Sequence, residues 1–244
     1  MTKDQLIAYS LAFEGETSQI QRALLRNEPY QPVKAVLNVI TILDDAYPES
    51  LRNLAQPPYV LYYKGNLSLL KEPAVAVVGS REMIPYAKAM TDRFVGPLSQ
   101  QRVIVSGLAK GIDAQAHING LQGRSTIAVL GCGIDHVYPK ENEALYSQIA
   151  EKGLILSEYP DKALPLQHRF PSRNRIVAAL GDAVIVIQAD LKSGSMITVN
   201  EALNLGKDVY AIPYALDTPE GRGCNLLIQQ GAAVILTVED ILSI

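Results

Sequence analysis

The sequence predicts an α/β protein built on a Rossmann-like, doubly wound, mainly parallel sheet with a short helical N-terminal leader. Three observations predict it. Six short runs, 74–78, 103–105, 126–130, 154–156, 183–187 and 209–212, are apolar throughout rather than alternating, as in strands covered on both faces. Helical stretches at 85–98, 112–121, 141–150, 172–180 and 198–205 separate them, the alternation of right-handed crossovers. Most of the runs also end in Gly/Ser-rich turns, at the edge where open parallel sheets hold ligands.

The elements follow in chain order. Leu6, Ile7 and Leu11, then Ile20, Leu24 and Leu25, recur at helical spacing and are interrupted by Glu14-Gly15-Glu16. This gives a short helical segment over 1–40, small for a complete helical domain. Pro29 and Pro32 punctuate its end. The remainder, 41–244, reads as the Rossmann-like domain with an N-terminal extension over 41–73. Within the extension, 41–48 begins as a strand and ends in a turn, and 59–63 is extended and closed by Lys64-Gly65-Asn66. After the sixth run, a last unit at 226–230, 233–236 and 239–242 closes the domain.

Composition bounds the function. Of 244 residues, 48% are apolar and 19% charged, ordinary for a folded globular chain. The net charge of -3 means that any nucleic-acid site must be a local basic patch. Cys132 and Cys224 form neither a zinc spacing nor a disulfide framework and read as buried thiols in a reducing compartment. His117, His136 and His168 are not at metal spacing, so neither metal nor cofactor is expected. With no signal-peptide pattern and no run long enough to span a membrane, a cytoplasmic location is expected.

The loops after the strands hold the chemistry. Gly79-Ser80-Arg81 combines a glycine for close approach, a hydroxyl donor and a bidentate cation ahead of a helix N-terminus, which suits a phosphate. It is not a dinucleotide fingerprint, because Arg81 and Ile84 stand where glycines are needed. Ser106-Gly107, with Lys110 and Gly111, reads equally as a second anion cradle or as a plain turn. Lys140 sits at a helix start, where a cation is unfavourable for the dipole, so a ligand role is expected. Arg169, Phe170, Arg173, Asn174 and Arg175 place three arginines and a ring within seven residues, the composition of a single-strand groove. Few acids lie nearby in sequence, so the arginines read as free. Ser193-Gly194-Ser195 opens another helix and reads as an anion nest. No Ser/His/acid trio and no nucleophile elbow suggests itself, the balance of a binding protein rather than an enzyme.

Taken together, these loops resemble the DNA-processing protein A (DprA, or Smf) family. The matching pieces run from Ile42-Leu43-Asp44-Asp45-Ala46-Tyr47-Pro48 through Val78-Gly79-Ser80-Arg81, Ser106-Gly107-Leu108-Ala109-Lys110-Gly111-Ile112-Asp113 and Tyr138-Pro139-Lys140-Glu141-Asn142. They continue with Phe170-Pro171-Ser172-Arg173-Asn174-Arg175, Lys192-Ser193-Gly194-Ser195 and Val209-Tyr210-Ala211-Ile212-Pro213. The resemblance implies a homodimeric protein of natural transformation that binds incoming single-stranded DNA and helps load the RecA recombinase. It implies that Arg81 and Lys140 hold DNA phosphates, that Arg173 and Arg175 line the same pocket, and that Asn225, Leu226, Leu227 and Ile228 form the dimer patch. Members often carry a larger helical domain before the sheet and a winged-helix domain after it, which this chain does not match.

A weaker likeness points to an enzyme. Residues 193–201 line up with the PGGxGTxxE motif of the "lysine decarboxylase-like" phosphoribohydrolases, which cleave nucleoside monophosphates. Thr198 and Glu201 match, but two of the three glycines are absent, which would keep the backbone away from a phosphate. The same loops would also suit a nucleotide sensor without catalysis.

Overall fold

The computed structural model describes residues 1–33 and 38–244, so four residues of the expected leader, 34–37, lie outside the described residues. The chain order is α1 (Lys3–Ala12), α2 (Thr17–Leu25), β1 (Val39–Thr41), α3 (Glu49–Arg52), β2 (Val60–Gly65), β3 (Ala74–Gly79), α4 (Pro85–Ser99), β4 (Val103–Ser106), α5 (Ile112–Gln122) and β5 (Thr126–Leu130). It continues with α6 (Glu143–Lys152), β6 (Leu154–Ser157), α7 (Arg169–Leu180), β7 (Val184–Gln188), α8 (Ser195–Asn204), β8 (Val209–Ala211), α9 (Arg222–Gln229), β9 (Ala233–Val234) and α10 (Glu239–Leu242).

All the described strands join one sheet in the order β1-β2-β6-β5-β4-β3-β7-β8-β9. From β6 to β9 neighbours run parallel. The extension adds an antiparallel pair, β2 against β6 and β1 against β2. The chain therefore winds outward from β3 through β4, β5 and β6, then returns to place β7 on the other side of β3. The carboxyl ends of β3 and β7 frame the topological switch point, where open α/β sheets form their ligand crevice.

The continuously apolar strands explain both layers. In β3, Ala74, Ala76 and Val78 enter one core with Ile176 and Val177 of α7 and Val199 of α8. Val75 and Val77 face the other side, against Phe94, Val95 and Leu98 of α4 and Ile112 of α5. Period two along the strand thus feeds two cores, each valine buried at roughly 1.5–3 kcal/mol. Helix α4 starts on Pro85, whose missing N–H costs nothing in the first turn. Helix α7 ends under the Lys207 ammonium, which donates to the Ala178 and Ala179 carbonyls at 3.1 and 2.6 Å.

The leader packs on this body. Leu6 enters the core that also holds Val60, Tyr62, Leu130 and Ile155. Ser10 accepts a hydrogen bond from the Tyr62 hydroxyl at 3.0 Å. Gly111, at φ 75°, sits where a Cβ would meet the Ser80 carbonyl oxygen at 2.3 Å. That close approach lets Ile112 N–H donate to Ser80 at 3.1 Å and ties the loop after β4 to the turn after β3.

Candidate functional site

The turn after β3 is held by the last residue of β7. The Ser80 amide donates to the Gln188 carbonyl at 2.9 Å. The buried Gln188 side chain accepts from Ile84 N–H at 3.1 Å and donates to the Glu82 carbonyl at 3.0 Å. The Ser80 hydroxyl accepts from Glu82 N–H at 3.1 Å, so it shapes its own turn. Gly79 is glycine for packing: a Cβ there would meet Ile112 Cγ1 at 2.6 Å, an added reason beside the expected approach to an anion. What the turn leaves exposed is Arg81 with Glu82 beside it.

Arg81 belongs to an exposed row. Its guanidinium lies 5.9 Å over the Phe170 ring, and Phe170 packs against Tyr138 at 5.3 Å. Tyr138 is 45% exposed, and Lys140 follows two residues on, exposed at the start of a short 3-10 turn before α6. Lys110 borders the row and pairs with Glu141 across solvent, a contact worth little at such exposure. Neither Arg81 nor Lys140 is paired with an acid among the described residues. Free cations beside half-open rings match the alternating phosphates and bases of an unpaired strand.

Beneath the row lies a buried polar network. Arg173, 4% exposed, donates to the carbonyls of Gly107 and Val129. Asp113 accepts from Gly107 and Ala109 N–H at 3.2 and 3.4 Å. Burial pushes the Asp113 carboxyl up, while Arg173 pulls the other way. His117 accepts Leu108 N–H on Nε2 at 3.2 Å. Its Nδ1 lies 2.7 Å from the Thr126 hydroxyl, which itself donates to Ile104, so Nδ1 is the protonated nitrogen. Burial drives this imidazole down to about 3. The network fixes Leu108 at φ 57° and sets the path of the loop to Lys110.

Several expected phosphate ligands are thereby corrected to internal roles. The Ser106 hydroxyl is fully buried and donates to the Val77 carbonyl at 2.7 Å. Gly107 has its amide taken by Asp113 and its carbonyl by Arg173, so this loop is no open nest. Arg169, 2% exposed, pairs with Glu14 at 2.8 Å and Glu16 at 3.3 Å of the leader. Arg175 pairs with the buried Glu158 at 2.6 Å; burial opposes its charge, and Glu158 lifts its pKa overall. The arginines lack acids nearby in sequence, but the fold brings acids from 17 to 155 residues away. Helix α7 begins at Arg169, three residues before the expected 172, which turns that side chain inward.

The remaining residues line the switch-point cleft, of about 420 Å³. Gly79, Ser80, Arg81, Phe170, Arg173, Asn174, Ser193, Gly194 and Ser195 all reach it, with α8 beginning at its wall. A smaller space of about 70 Å³ on the other side of Phe170 and Arg81 is bounded by Lys110 and Tyr138. Glu201 opens instead onto a second cavity with Glu158 and Arg175, so Thr198 and Glu201 line different cavities. In the expected dimer patch, Leu227 is buried in the core, and the Asn225 amide bonds the backbone of Tyr214 at 2.9 Å twice. Leu226 and Ile228 stay half-buried.

Reasoning on the sequence left out Tyr138, Asp113, His117, Gln188 and Glu158 as individual site residues. Tyr138 was findable as a ring two residues before Lys140. Asp113 and His117 bond groups four to nine residues away, but only once the β4 loop has folded back on α5; Gln188 and Glu158 depend on contacts between elements far apart in sequence, for which no local pattern exists.

Comparison with known proteins agrees with this geometry. The family described as DNA recombination-mediator protein A matches residues 38–244. DNA processing protein DprA of Streptococcus pneumoniae is 47% identical over 204 residues, 83% of this chain and 72% of that protein. The crystal structure of DprA from Streptococcus pneumoniae superposes with a TM-score of 0.82 at 38% identity, covering 99% of this chain and 93% of that one. DNA processing protein A of Helicobacter pylori, solved for its single-stranded DNA binding mode, gives 0.78 at 37% identity over 86% of this chain and 97% of that one.

Proposed function

The chain belongs to the DNA recombination-mediator protein A family, and we propose that its Arg81 face binds the single-stranded DNA of natural transformation and helps load the RecA recombinase onto it. The observation that supports this most is the exposed row of Arg81, Phe170, Tyr138 and Lys140, whose cations have no acid partner among the described residues. In this reading Arg81 and Lys140 hold phosphates, Phe170 and Tyr138 stack on bases, and Lys110 adds a partly neutralised charge. Arg173 acts from below as a buried positive floor. Asn174 and the turn of Ser193, Gly194 and Ser195 form a further anion seat at the inner end of the groove. Stacking on open rings favours unpaired bases, so sequence preference is weak.

The same reading makes the protein a cytoplasmic homodimer. Leu226 and Ile228, with the exposed Val234 and Leu236 of the same C-terminal unit, supply the apolar surface of the pair. Residues 41–244 act as the DNA-binding unit and the leader as a brace. No described helix is long and apolar enough to cross a membrane. We read the protein as a binder rather than an enzyme. Burial pushes the Cys132 and Cys224 thiols up to about 11 and 12, far from a reactive thiolate. Glu201 is turned away from the cleft that Thr198 lines, which disfavours the phosphoribohydrolase reading.

Gel shift with single-stranded and duplex oligonucleotides over a salt series tests the reading. A single-strand preference is expected, with a log–log salt slope of roughly 0.7 per phosphate contact. Equal binding of both forms, or none at low salt, would overturn it. Release of free base from nucleoside monophosphates would restore the enzyme reading.

A further inference from the structure

We infer that the cavity between the leader and α8 binds an organic cation with two primary ammonium groups, of the linear diamine and polyamine class. The site is separate from the strand face and does not depend on the strand reading. Its volume of about 410 Å³ lies in the range of roughly 300–1,000 Å³ typical of small-molecule sites. Gly15 to Ser18 of the leader line it on one side, and Ile197 and Glu201 of α8 on another. Pro171 and Ile197 border both this cavity and the switch-point cleft, so they form an apolar sill between the two spaces.

Tyr159 distinguishes this cavity from a gap left between packed elements. Four other buried tyrosines spend their hydroxyls inside the fold. Tyr9 donates to the Glu28 carbonyl, Tyr47 to Pro58 at 2.8 Å, Tyr62 to Ser10 at 3.0 Å and Tyr146 to Ile134 at 2.6 Å. Tyr159 is only 2% exposed, yet its hydroxyl bonds no described residue. No side-chain polar atom sealed from the surface lacks a partner among the described residues, so this hydroxyl is open to the cavity that Tyr159 lines. Burial pushes its pKa up; Glu158 and Glu16 add to the rise, while Arg175 and Arg169 oppose it. Three of those four groups line the cavity themselves. The hydroxyl therefore keeps its proton and presents a free lone pair as well. Buried hydroxyls are normally paired, so an open one marks a place for a ligand.

The carboxylates set the class of ligand. Glu16, Glu158 and Glu201 face the cavity against a single guanidinium, that of Arg175. Arg175 is spent on Glu158. Glu201 forms no ion pair among the described residues. Glu16 holds Arg169 and His168 through Oε1, which leaves Oε2 open. The surplus charge is negative, so the cavity draws a cation and repels an anion. Among the described residues no three His, Cys, Asp or Glu side chains converge closely enough to hold a metal ion. Acceptors that stand apart suit an extended cation instead. One ammonium meets Glu201, the other Glu16, the Tyr159 hydroxyl accepts a further N–H, and the aliphatic linker rests on the sill.

The test is calorimetric titration of the full chain, without DNA, with putrescine and spermidine beside tetramethylammonium, magnesium and inorganic phosphate. Salt is held at about 0.15 M, which screens exposed charges beyond roughly 8 Å. Expected is saturable one-to-one binding of both amines and none of tetramethylammonium, which carries charge but no N–H donor. Glu201→Gln and Tyr159→Phe each weaken it by about tenfold or more, the worth of a hydrogen bond to a charged group. Thermal unfolding of Tyr159→Phe stays at the wild-type temperature, because the hydroxyl has no partner in the fold to lose. Single-strand affinity measured without amine stays within about twofold in both variants, as for sites that share no partners. Absence of saturable amine binding overturns this inference alone. Equal binding of tetramethylammonium, magnesium or phosphate, unchanged amine affinity in both variants, or a destabilised Tyr159→Phe also overturns it. Amine binding in protein that binds no oligonucleotide upholds it and counts against the strand reading instead.

Discussion

Two sets of cations have opposite fates. Arg169, Arg173 and Arg175 lie on α7 and are taken up by the protein itself: carboxylates of the leader, carbonyls of β5 and the β4 loop, and the buried Glu158. Arg81 and Lys140, each alone in its own loop, stay free and share a face with Phe170 and Tyr138. Density of charge along a sequence is thus a poor guide to a binding surface. A cluster of arginines on one helix is the feature that a fold can most easily recruit as glue. A single cation on a turn with no helix face to bury it is left for a ligand.

Breaking this contrast gives the largest effects first. Arg175→Ala removes one partner of a buried pair and strands Glu158, so it costs about 3–5 kcal/mol in urea unfolding. Oligonucleotide affinity per folded molecule stays near wild type. Replacing both partners by apolar residues, Arg175→Met with Glu158→Leu, recovers most of that loss. A stability unchanged in Arg175→Ala would mean that the pair does not hold α7.

His117 tests the buried network by pH. In the folded chain it stays neutral down to about 3, whereas unfolded it takes a proton near 6.5. The unfolded state then binds more protons between these values, so stability falls as the pH drops below 6.5. The loss reaches about 2 kcal/mol at pH 5. Imidazole resonances followed by NMR check it directly: titration of His117 near its ordinary value would contradict the burial of this ring.

On the exposed face, Tyr138→Ala removes one stacking platform. Single-strand affinity falls by about 1–3 kcal/mol, duplex affinity and thermal stability hardly change, and comparative anisotropy reads the difference. The smallest effect sharpens the role of Lys110. Glu141→Gln releases that lysine from its exposed partner, and single-strand affinity rises slightly, most at low salt.

These particulars show how far the sequence could be read. The parallel strands were legible because residues such as Val75 to Val78 are apolar without alternation, which only two covered faces explain. The short helix α3 was not, because its four residues carry no periodic signal. At the site, the exposed turn of Arg81 was legible because strand ends mark the ligand edge, and the exposure of Lys140 because it stands at a helix start. The burial of Arg169 and Arg175 was not, because Glu14, Glu16 and Glu158 approach them only through tertiary packing. Gly79 was read for access to an anion, while Ile112, more than thirty positions on, adds a packing reason. Such choices are set by neighbours in space, which a single sequence does not display.

On the proposed reading the free cations, not the clustered ones, hold the strand. The most direct test measures single-strand affinity against salt for the wild type, Arg81→Ala, Lys140→Ala and the double variant Arg175→Met with Glu158→Leu. Loss of affinity in the first two variants, with the salt slope lowered by roughly 0.7 for each phosphate contact removed and the double variant unchanged, is the predicted result. An unchanged slope in Arg81→Ala and Lys140→Ala, or a lowered one in the double variant alone, would contradict it.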